Sequence, residues 1–195
     1  EILSGLVGSE MCIRDRLGTM LYAINAKKTT YEGQSLVSGF NCNTYTAYLE
    51  MMTTKQQYRK TDERQFFQFV QSFPEDASLT PQEVHQIGLE FAARQFPDYE
   101  VLVATHCDTD NLHNHFLVNS VSFRAGKKLH QNHDDLVQHR TVNDEICMAH
   151  GQPVLERYQK GQKKKRALAG EYRAAERGES WKFTLIKACL LYTSD

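Results

Sequence analysis

Apolar and polar residues alternate with a period of two in several segments of this chain, and this period predicts strands. Residues 65–73 (QFFQFVQSF) are rich in aromatic side chains and roughly alternate, which predicts a sheet strand. Residues 99–107 (YEVLVATHC) and 113–123 (HNHFLVNSVSF) predict two further strands, and the short polar turn 108–112 predicts that they form an antiparallel hairpin. Two shorter strands are predicted over residues 36–42 and 127–130.

The clearest helix begins with a capping signal. Thr80, Pro81 and Glu83 supply an N-cap, a proline at the first helical position and a capping-box glutamate. A helix is therefore predicted from this point to about Phe96, where the following Pro97 ends it.

Three other segments are predicted to be helical at least in part. Residues 43–58 have a helical pattern with Asn43 as the N-cap, and residues 133–150 form a helix ended by Gly151. Residues 17–28 are predicted as a short helix or a helix-to-loop segment. Periodicity alone thus predicts a domain of mixed α and β structure.

Composition places the chain among globular proteins. Its 195 residues are 41% hydrophobic and 24% charged, which suits one domain of ordinary size. The longest apolar runs fall short of the roughly 20 residues that cross a bilayer, so no membrane insertion is expected. The five cysteines show no paired short spacing and no secretory signal precedes them, which fits a reducing cytoplasm and indicates no thiolate zinc site.

Both ends of the chain look foreign to the rest. Residues 5–16 (GLVGSEMCIRDR) resemble an in-frame translation of a sequencing-library adapter, and residues 189–195 (CLLYTSD) resemble its opposite strand. We therefore expect segments 1–16 and 189–195 to be non-native, a main domain over 17–152, and a basic, partly helical extension over 153–188.

The formal net charge of −1 is an average over the whole chain, and basic residues are concentrated in a stretch near the C-terminus. These side chains can neutralise DNA phosphates, or they can form a solvated linker or helix face. The basic residues of this stretch that we predict to contact DNA are Lys163, Lys164, Lys165 and Arg166.

Three histidines carry the chemistry. His113 and His115 are two apart in a strand, so both rings project from one face, with Cβ atoms roughly 6 to 7 Å apart. His106 ends the preceding strand, and the hairpin folds it back beside His113. Three neutral imidazoles leave a coordination position open, which is typical of a catalytic metal site. The alternative is a set of histidines that hydrogen-bond to backbone and bind no metal.

Nearby polar residues can support this site. Asp108 and Asn111 lie close enough to orient the ring nitrogens. Asn119 faces the same way as His115 but lies roughly 13 Å further along the strand, so contact with the ion is not expected. The His-Asn-His string also occurs in a nuclease class with a ββα metal fold, but the strand-like FLVNSVSF that follows disfavours that fold.

These residues resemble the motif of relaxases, which belong to the HUH nuclease superfamily. The family motif is a histidine, an aspartate two residues on, and a His-x-His strand followed by asparagine, and His106, Asp108, His113, His115 and Asn119 match it in place. Upstream, residues 22–29 (YAINAKKT) resemble the segment that carries the nucleophilic tyrosine, which would be Tyr22. The likeness extends over nearly all of residues 17–187. Two departures are Gln68, where relatives often carry histidine, and the first strand expected before Tyr22, whose place we expect the adapter-like segment to have taken.

The resemblance implies a fold, a reaction and partners. The fold would be α+β, a palm-like HUH nuclease domain with a central antiparallel sheet of about five strands flanked by helices, and a helical C-terminal extension. A divalent metal (Mg, Mn or Zn) on the three histidines would bind the scissile phosphate, Tyr22 would attack it, and Asp108 would orient His106 or assist proton transfer. The product would be a 5′-phosphotyrosine.

The implied partners are those of conjugative mobilisation in the bacterial cytoplasm: single-stranded DNA at a plasmid or integrative-element transfer origin, relaxosome accessory proteins and a type IV secretion coupling protein. Further DNA contacts are predicted for Lys28, Lys127 and Lys128. Two other functions stay open at this point, a rolling-circle replication initiator and a non-catalytic, metal-stabilised module that binds single-stranded DNA. Rival nucleophiles are Tyr31, Tyr45, Tyr48 and Tyr58.

Overall fold

A central antiparallel sheet with helices on both faces forms the body of the protein. The computed structural model describes residues 16–62, 64–75, 77–109, 111–152 and 154. In chain order the elements are α1 (Arg16–Ala23), α2 (Ala26–Thr29), β1 (Thr30–Tyr31), β2 (Gln34–Ser35), β3 (Val37–Phe40), α3 (Ala47–Gln57), β4 (Phe66–Ser72), α4 (Pro81–Gln95), β5 (Val101–His106), β6 (His113–Asn119) and α5 (His133–Ala149). The predicted α+β class is confirmed.

The sheet places the hairpin of β5 and β6 at its centre. Its strand order is β3-β5-β6-β4, and every neighbouring pair is antiparallel. The described residues give this sheet four strands where about five were expected, and β1 and β2 form a separate two-stranded sheet. The register pairs His106 with His113 and Ala104 with His115. Because directly paired residues share a face, all three histidines project to one side.

Each face of the sheet has its own hydrophobic core. On the face away from the histidines, α4 and α5 cover a cluster centred on buried phenylalanines, and the rings of Phe91 and Phe116 lie 5.2 Å apart. On the histidine face, α1 and α3 pack their buried Met20 and Met51 against Leu102 and its neighbours. This second core holds α1 against the histidine face of the sheet.

The capping signal of α4 is confirmed. The Thr80 side chain accepts from the backbone N–H of Glu83, and the Glu83 side chain accepts from the backbone N–H of Thr80. The same reciprocal cap, which was not predicted from the sequence, starts α5 at Asn132 with Asp135. Two such caps satisfy backbone donors that a helix start otherwise leaves unpaired.

Other local predictions need correction. Asn43 is not the N-cap of α3; its side chain accepts from the backbone N–H of Tyr45, and Thr46 occupies the cap position. An Asx turn therefore uses the side chain before the helix begins. The predicted strand over 127–130 reduces to a single bridge between Lys128 and Val121. Within the described part of the chain, no helix is both long and apolar enough to cross a membrane.

Candidate functional site

The three predicted histidines meet at the end of the central hairpin. Their ring centroids lie 4.3 Å apart for His106 and His115, 5.0 Å for His106 and His113, and 5.1 Å for His113 and His115. One nitrogen from each ring lies within 4.8 Å of the corresponding atoms of the other two. The antiparallel register explains this cluster, because it sets His106 directly opposite His113 while His115 follows on the same face.

Hydrogen bonds fix which nitrogen of each ring faces inward. His106 Nε2 lies 2.9 Å from the carbonyl oxygen of Ala23, and His113 Nδ1 lies 2.9 Å from that of Asn111. A carbonyl only accepts, so both nitrogens carry the proton and leave the other nitrogen with a lone pair. Among the described residues, His106 Nδ1 and His115 Nε2 are buried with no hydrogen-bond partner. A cation fits beside such buried nitrogens, because it can accept the lone pair of a ring nitrogen that carries no proton.

Burial keeps two of these rings neutral. It lowers the pKa of His115 to about 3; the Lys28 ammonium and repulsion from the neighbouring His106 and His113 rings, were these to be protonated, act in the same direction. Burial also lowers the pKa of His106, and the hydrogen bond to Ala23 opposes this only in part. Neutral imidazole is the form that binds metal ions, so these side chains can bind a metal at neutral pH without first losing a proton.

Helix α1 places Tyr22 beside the cluster. The tyrosine ring lies 5.6 Å from the ring of His106 and 6.0 Å from that of His115. Met20 and Ala23 anchor the helix in the core, while Tyr22 remains 51% exposed. A tyrosine that touches two of the three imidazoles and also faces solvent can reach a phosphate bound at the cluster.

The segment after Tyr22 places a lysine side chain against the tyrosine hydroxyl. Asn25 caps α2 by accepting from the backbone N–H of Lys27, and the Thr29 hydroxyl donates to the Asn25 carbonyl oxygen. Lys28 Nζ then donates to the Tyr22 hydroxyl oxygen at 3.3 Å. The resemblance pointed to this segment; its cap explains the asparagine, and the hydroxyl bond explains the threonine, in physical terms.

Asp108 pairs with this lysine rather than with a histidine. Its Oδ2 lies 3.2 Å from Lys28 Nζ, and the partner of His106 is instead the Ala23 carbonyl. Burial acts to raise the pKa of Asp108, but the bond to Lys28 outweighs it and lowers the pKa overall. Burial acts to lower the pKa of Lys28, yet its bonds to Tyr22 and Asp108 raise it overall. Both side chains are therefore charged at neutral pH.

The two asparagines predicted to support the site act differently from one another. Asn111 contributes its backbone carbonyl, which orients His113. Asn119 is buried at the far end of β6, where its amide nitrogen donates to a carboxylate oxygen of Glu100 at 2.7 Å and to the carbonyl oxygen of Met51. The hydrogen bonds of Asn119 therefore join β6 to α3 and to the residue before β5, rather than to the histidines.

The predicted DNA-contacting lysines are spread over the molecule. Lys28 lies at the candidate nucleophile, whereas Lys127 is exposed and Lys128 half-buried after the bend at Gly126. Gly126 has a φ of 62°, and a Cβ there would lie 2.2 Å from the ring of Tyr58, so glycine is required at this bend. The remaining predicted contacts lie outside the described residues: Lys163, Lys164, Lys165 and Arg166.

Two polar features of the site were not assigned from sequence. Gln68 Nε2 lies 3.2 Å from His115 Nδ1; the sequence marked Gln68 only as a departure from the family, although β4 puts it on the histidine face. On the opposite face, Asn114 is fully buried and bonds to Thr105, Gln71 and the Val84 carbonyl. Asn114 lies between the two strand histidines, so this network fixes the orientation of β6.

Comparison with known proteins matches most of the chain. A relaxase family model, described as the MobA/VirD2-like nuclease domain, matches residues 22–152. A Staphylococcus aureus relative named Protein rlx is 36% identical over 146 residues, which cover 74% of this chain and 43% of the relative. The group II intron-interrupted relaxase LtrB of Lactococcus lactis subsp. cremoris is 41% identical over 63 residues, which cover 30% of this chain and 11% of that protein. The chain thus spans less than half the length of these relatives, and no solved structure matches it.

Proposed function

Because the chain belongs to the relaxase family through its MobA/VirD2-like nuclease domain, we propose that it nicks one DNA strand by transferring the cut end to Tyr22. The observation that carries this proposal is the contact of the Tyr22 ring with His106 and His115, two members of the imidazole cluster. Among the described tyrosines, ring contacts to these histidines occur for Tyr22 alone. The rival Tyr45 is 96% exposed, and the Tyr58 hydroxyl donates to the Phe123 carbonyl.

The proposed metal ligands are His106 Nδ1, His113 Nε2 and His115 Nε2. In each ring the other nitrogen has a hydrogen-bond partner, so these three nitrogens are the ones available to a metal ion. A bound divalent cation would supply charge neutralisation at the scissile phosphate and would help to orient the phosphorus for in-line attack. Three ligands leave coordination positions for phosphate oxygens, which suits a catalytic site.

The chemical step needs an ionised tyrosine, and Lys28 is placed to favour it. Its ammonium donates to the Tyr22 hydroxyl oxygen, so it stabilises the phenolate that forms when the hydroxyl proton leaves for solvent. The phenolate oxygen attacks phosphorus, the bond from phosphorus to the 3′-oxygen breaks, and that oxygen takes a proton from solvent. The products are a 5′-phosphotyrosine and a free 3′-hydroxyl. Asp108 holds Lys28 in position through their ion pair.

The proposed substrate is single-stranded DNA at a plasmid or integrative-element transfer origin. The matching family model and the name of LtrB both describe a relaxase, which favours transfer over rolling-circle replication. The tyrosine beside the cluster favours an enzyme over a passive DNA-binding module. Relaxosome accessory proteins, a type IV secretion coupling protein and a place in the bacterial cytoplasm are part of the same proposal.

Nicking of supercoiled plasmid DNA that carries a transfer origin tests this function. We expect nicking that requires Mg²⁺ or Mn²⁺ and is lost in a variant with both His113→Ala and His115→Ala. His133→Ala, which removes an exposed histidine outside the cluster, is the matched control and should nick like the parent chain. Equal metal-dependent nicking by the double variant would show that the cluster is not the catalytic site.

A further inference from the structure

His115 differs from the other two clustered histidines in its hydrogen-bond partner, the group that faces the ring nitrogen not proposed as a metal ligand. His106 and His113 each face a backbone carbonyl, which can only accept a hydrogen bond. His115 Nδ1 faces the side-chain amide of Gln68 at 3.2 Å. An amide offers a donor at one end and an acceptor at the other, so it can bond to either protonation form of the ring nitrogen.

The orientation of this amide decides whether His115 can bind a metal. A neutral imidazole carries one proton, on one nitrogen only. When the Gln68 nitrogen donates to Nδ1, the proton must lie on Nε2, the nitrogen that is buried inside the cluster. When the Gln68 oxygen faces Nδ1, the proton lies on Nδ1 and the Nε2 lone pair points into the cluster. Only this second arrangement makes His115 a ligand.

We propose that Gln68 is a positioning residue whose amide rotates as the cation binds, so that its Oε1 accepts from His115 Nδ1–H and fixes the metal-binding tautomer. This inference rests on the proposed function, because it concerns the same three imidazoles. Gln68 is only half-buried and lies in β4, an edge strand of the described sheet, which leaves the amide room to turn. The backbone carbonyls at His106 and His113 fix their tautomers without any such rotation.

Substitutions that separate the acceptor from the donor test the proposal. Gln68→Met keeps the length of the side chain but neither accepts nor donates, and Gln68→Glu only accepts. Isothermal titration of the metal-free protein with Mn²⁺ should show about 10-fold to 100-fold weaker binding for Gln68→Met, the usual effect of losing such a partner. Gln68→Glu should bind at least as tightly as the parent chain. Gln138→Met, the same change at an exposed glutamine of α5, should leave the affinity unchanged.

The outcomes separate this inference from the proposed function. If the parent chain binds no Mn²⁺ and shows no nicking, the proposed function fails. If the parent chain binds and nicks but Gln68→Met has the same Mn²⁺ affinity, only the role of Gln68 is overturned. Weaker binding by both Gln68→Met and Gln68→Glu would also overturn it, because an acceptor alone should suffice.

Nitrogen chemical shifts of the His115 ring report the tautomer directly. In ¹⁵N-histidine-labelled protein we expect a population protonated at Nε2 before metal is added, and protonation at Nδ1 once Zn²⁺, a diamagnetic probe, is bound. In Gln68→Glu the ring should be protonated at Nδ1 even without metal. A Zn²⁺-bound parent chain in which His115 still carries its proton on Nε2 would contradict the proposal.

Discussion

Lys28→Met separates two roles that the sequence and the structure assign to this lysine. The resemblance predicts a contact with the DNA backbone, whereas its Nζ lies 3.3 Å from the Tyr22 hydroxyl oxygen. Methionine keeps most of the aliphatic length and removes only the ammonium. We expect the variant to fold normally, because the backbone of Lys28 is held independently by the bond from the Cys107 N–H to its carbonyl.

The size of the effect follows from this distance and from exposure. At 3.3 Å, an ammonium and a phenolate attract each other by about 5 kcal/mol at an effective dielectric constant of about 20 and by about 1.3 kcal/mol in water. Tyr22 is 51% exposed, and Asp108 lies 3.2 Å from the same ammonium and offsets part of its charge, so the lower value applies. Loss of about 1.4 kcal/mol of transition-state stabilisation slows the reaction about tenfold.

A single-turnover assay distinguishes the two roles. The rate of covalent capture of a fluorescent oligonucleotide is measured with enzyme in excess, and affinity is measured separately as a function of salt. We expect a capture rate about tenfold lower with little change in affinity, and partial rescue in Lys28→Arg, which restores the positive charge. A normal capture rate with weaker binding, and a salt slope reduced by about 0.7, would instead make Lys28 a phosphate contact with no part in the chemical step.

Three further predictions concern the scaffold. Asn119→Ala should lower the free energy of unfolding by about 2 to 3 kcal/mol, since it removes a donor from the buried Glu100 carboxylate, while Mn²⁺ affinity measured by calorimetry stays the same. Burial lowers the pKa values of His85 and His139, as it does those of His106 and His115, so the unfolded chain takes up protons first as pH falls. Stability in urea should therefore be full above about pH 6.5 and decline below it by up to about 1.4 kcal/mol per pH unit for each histidine; a flat profile would contradict this. Gly88→Ala should destabilise the protein by about 1 to 3 kcal/mol in thermal melts, because a Cβ there would lie 2.6 Å from a buried amide nitrogen on β6; an unchanged melting temperature would disprove the overlap.

Much of the fold and the grouping of the histidines could be predicted because they depend on local features. The short polar turn 108–112 forces a hairpin, and a hairpin with alternating faces brings His106 to His113 and His115. The capping residues of α4 likewise determine its start without reference to distant parts of the chain. The family that the histidine motif resembles is confirmed by the relaxase family model, which matches residues 22–152.

The remaining features depend on contacts between segments far apart in sequence. Nothing local to Asn119 shows that its partner is Glu100, and the contact from Gln68 to His115 exists only after β4 has paired with β6. Asp108 resembles a partner for His106 in sequence, yet the turn between α1 and α2 brings Lys28 to it instead. The hydrogen-bond partners of these polar side chains are determined by tertiary packing, and the periodicity of the sequence carries no information about them.

The decisive measurement for the proposed reaction is the identity of the amino acid that becomes attached to the DNA. The chain is incubated with Mn²⁺ and a single-stranded oligonucleotide that contains the nicking site, the adduct is digested with protease and nuclease, and peptides are mapped by tandem mass spectrometry. We predict a nucleotide attached through a 5′-phosphate to Tyr22, and no adduct in Tyr22→Phe, a variant that should still bind the oligonucleotide. A nucleotide attached to any other residue, or an adduct that persists in Tyr22→Phe, would contradict the proposed reaction.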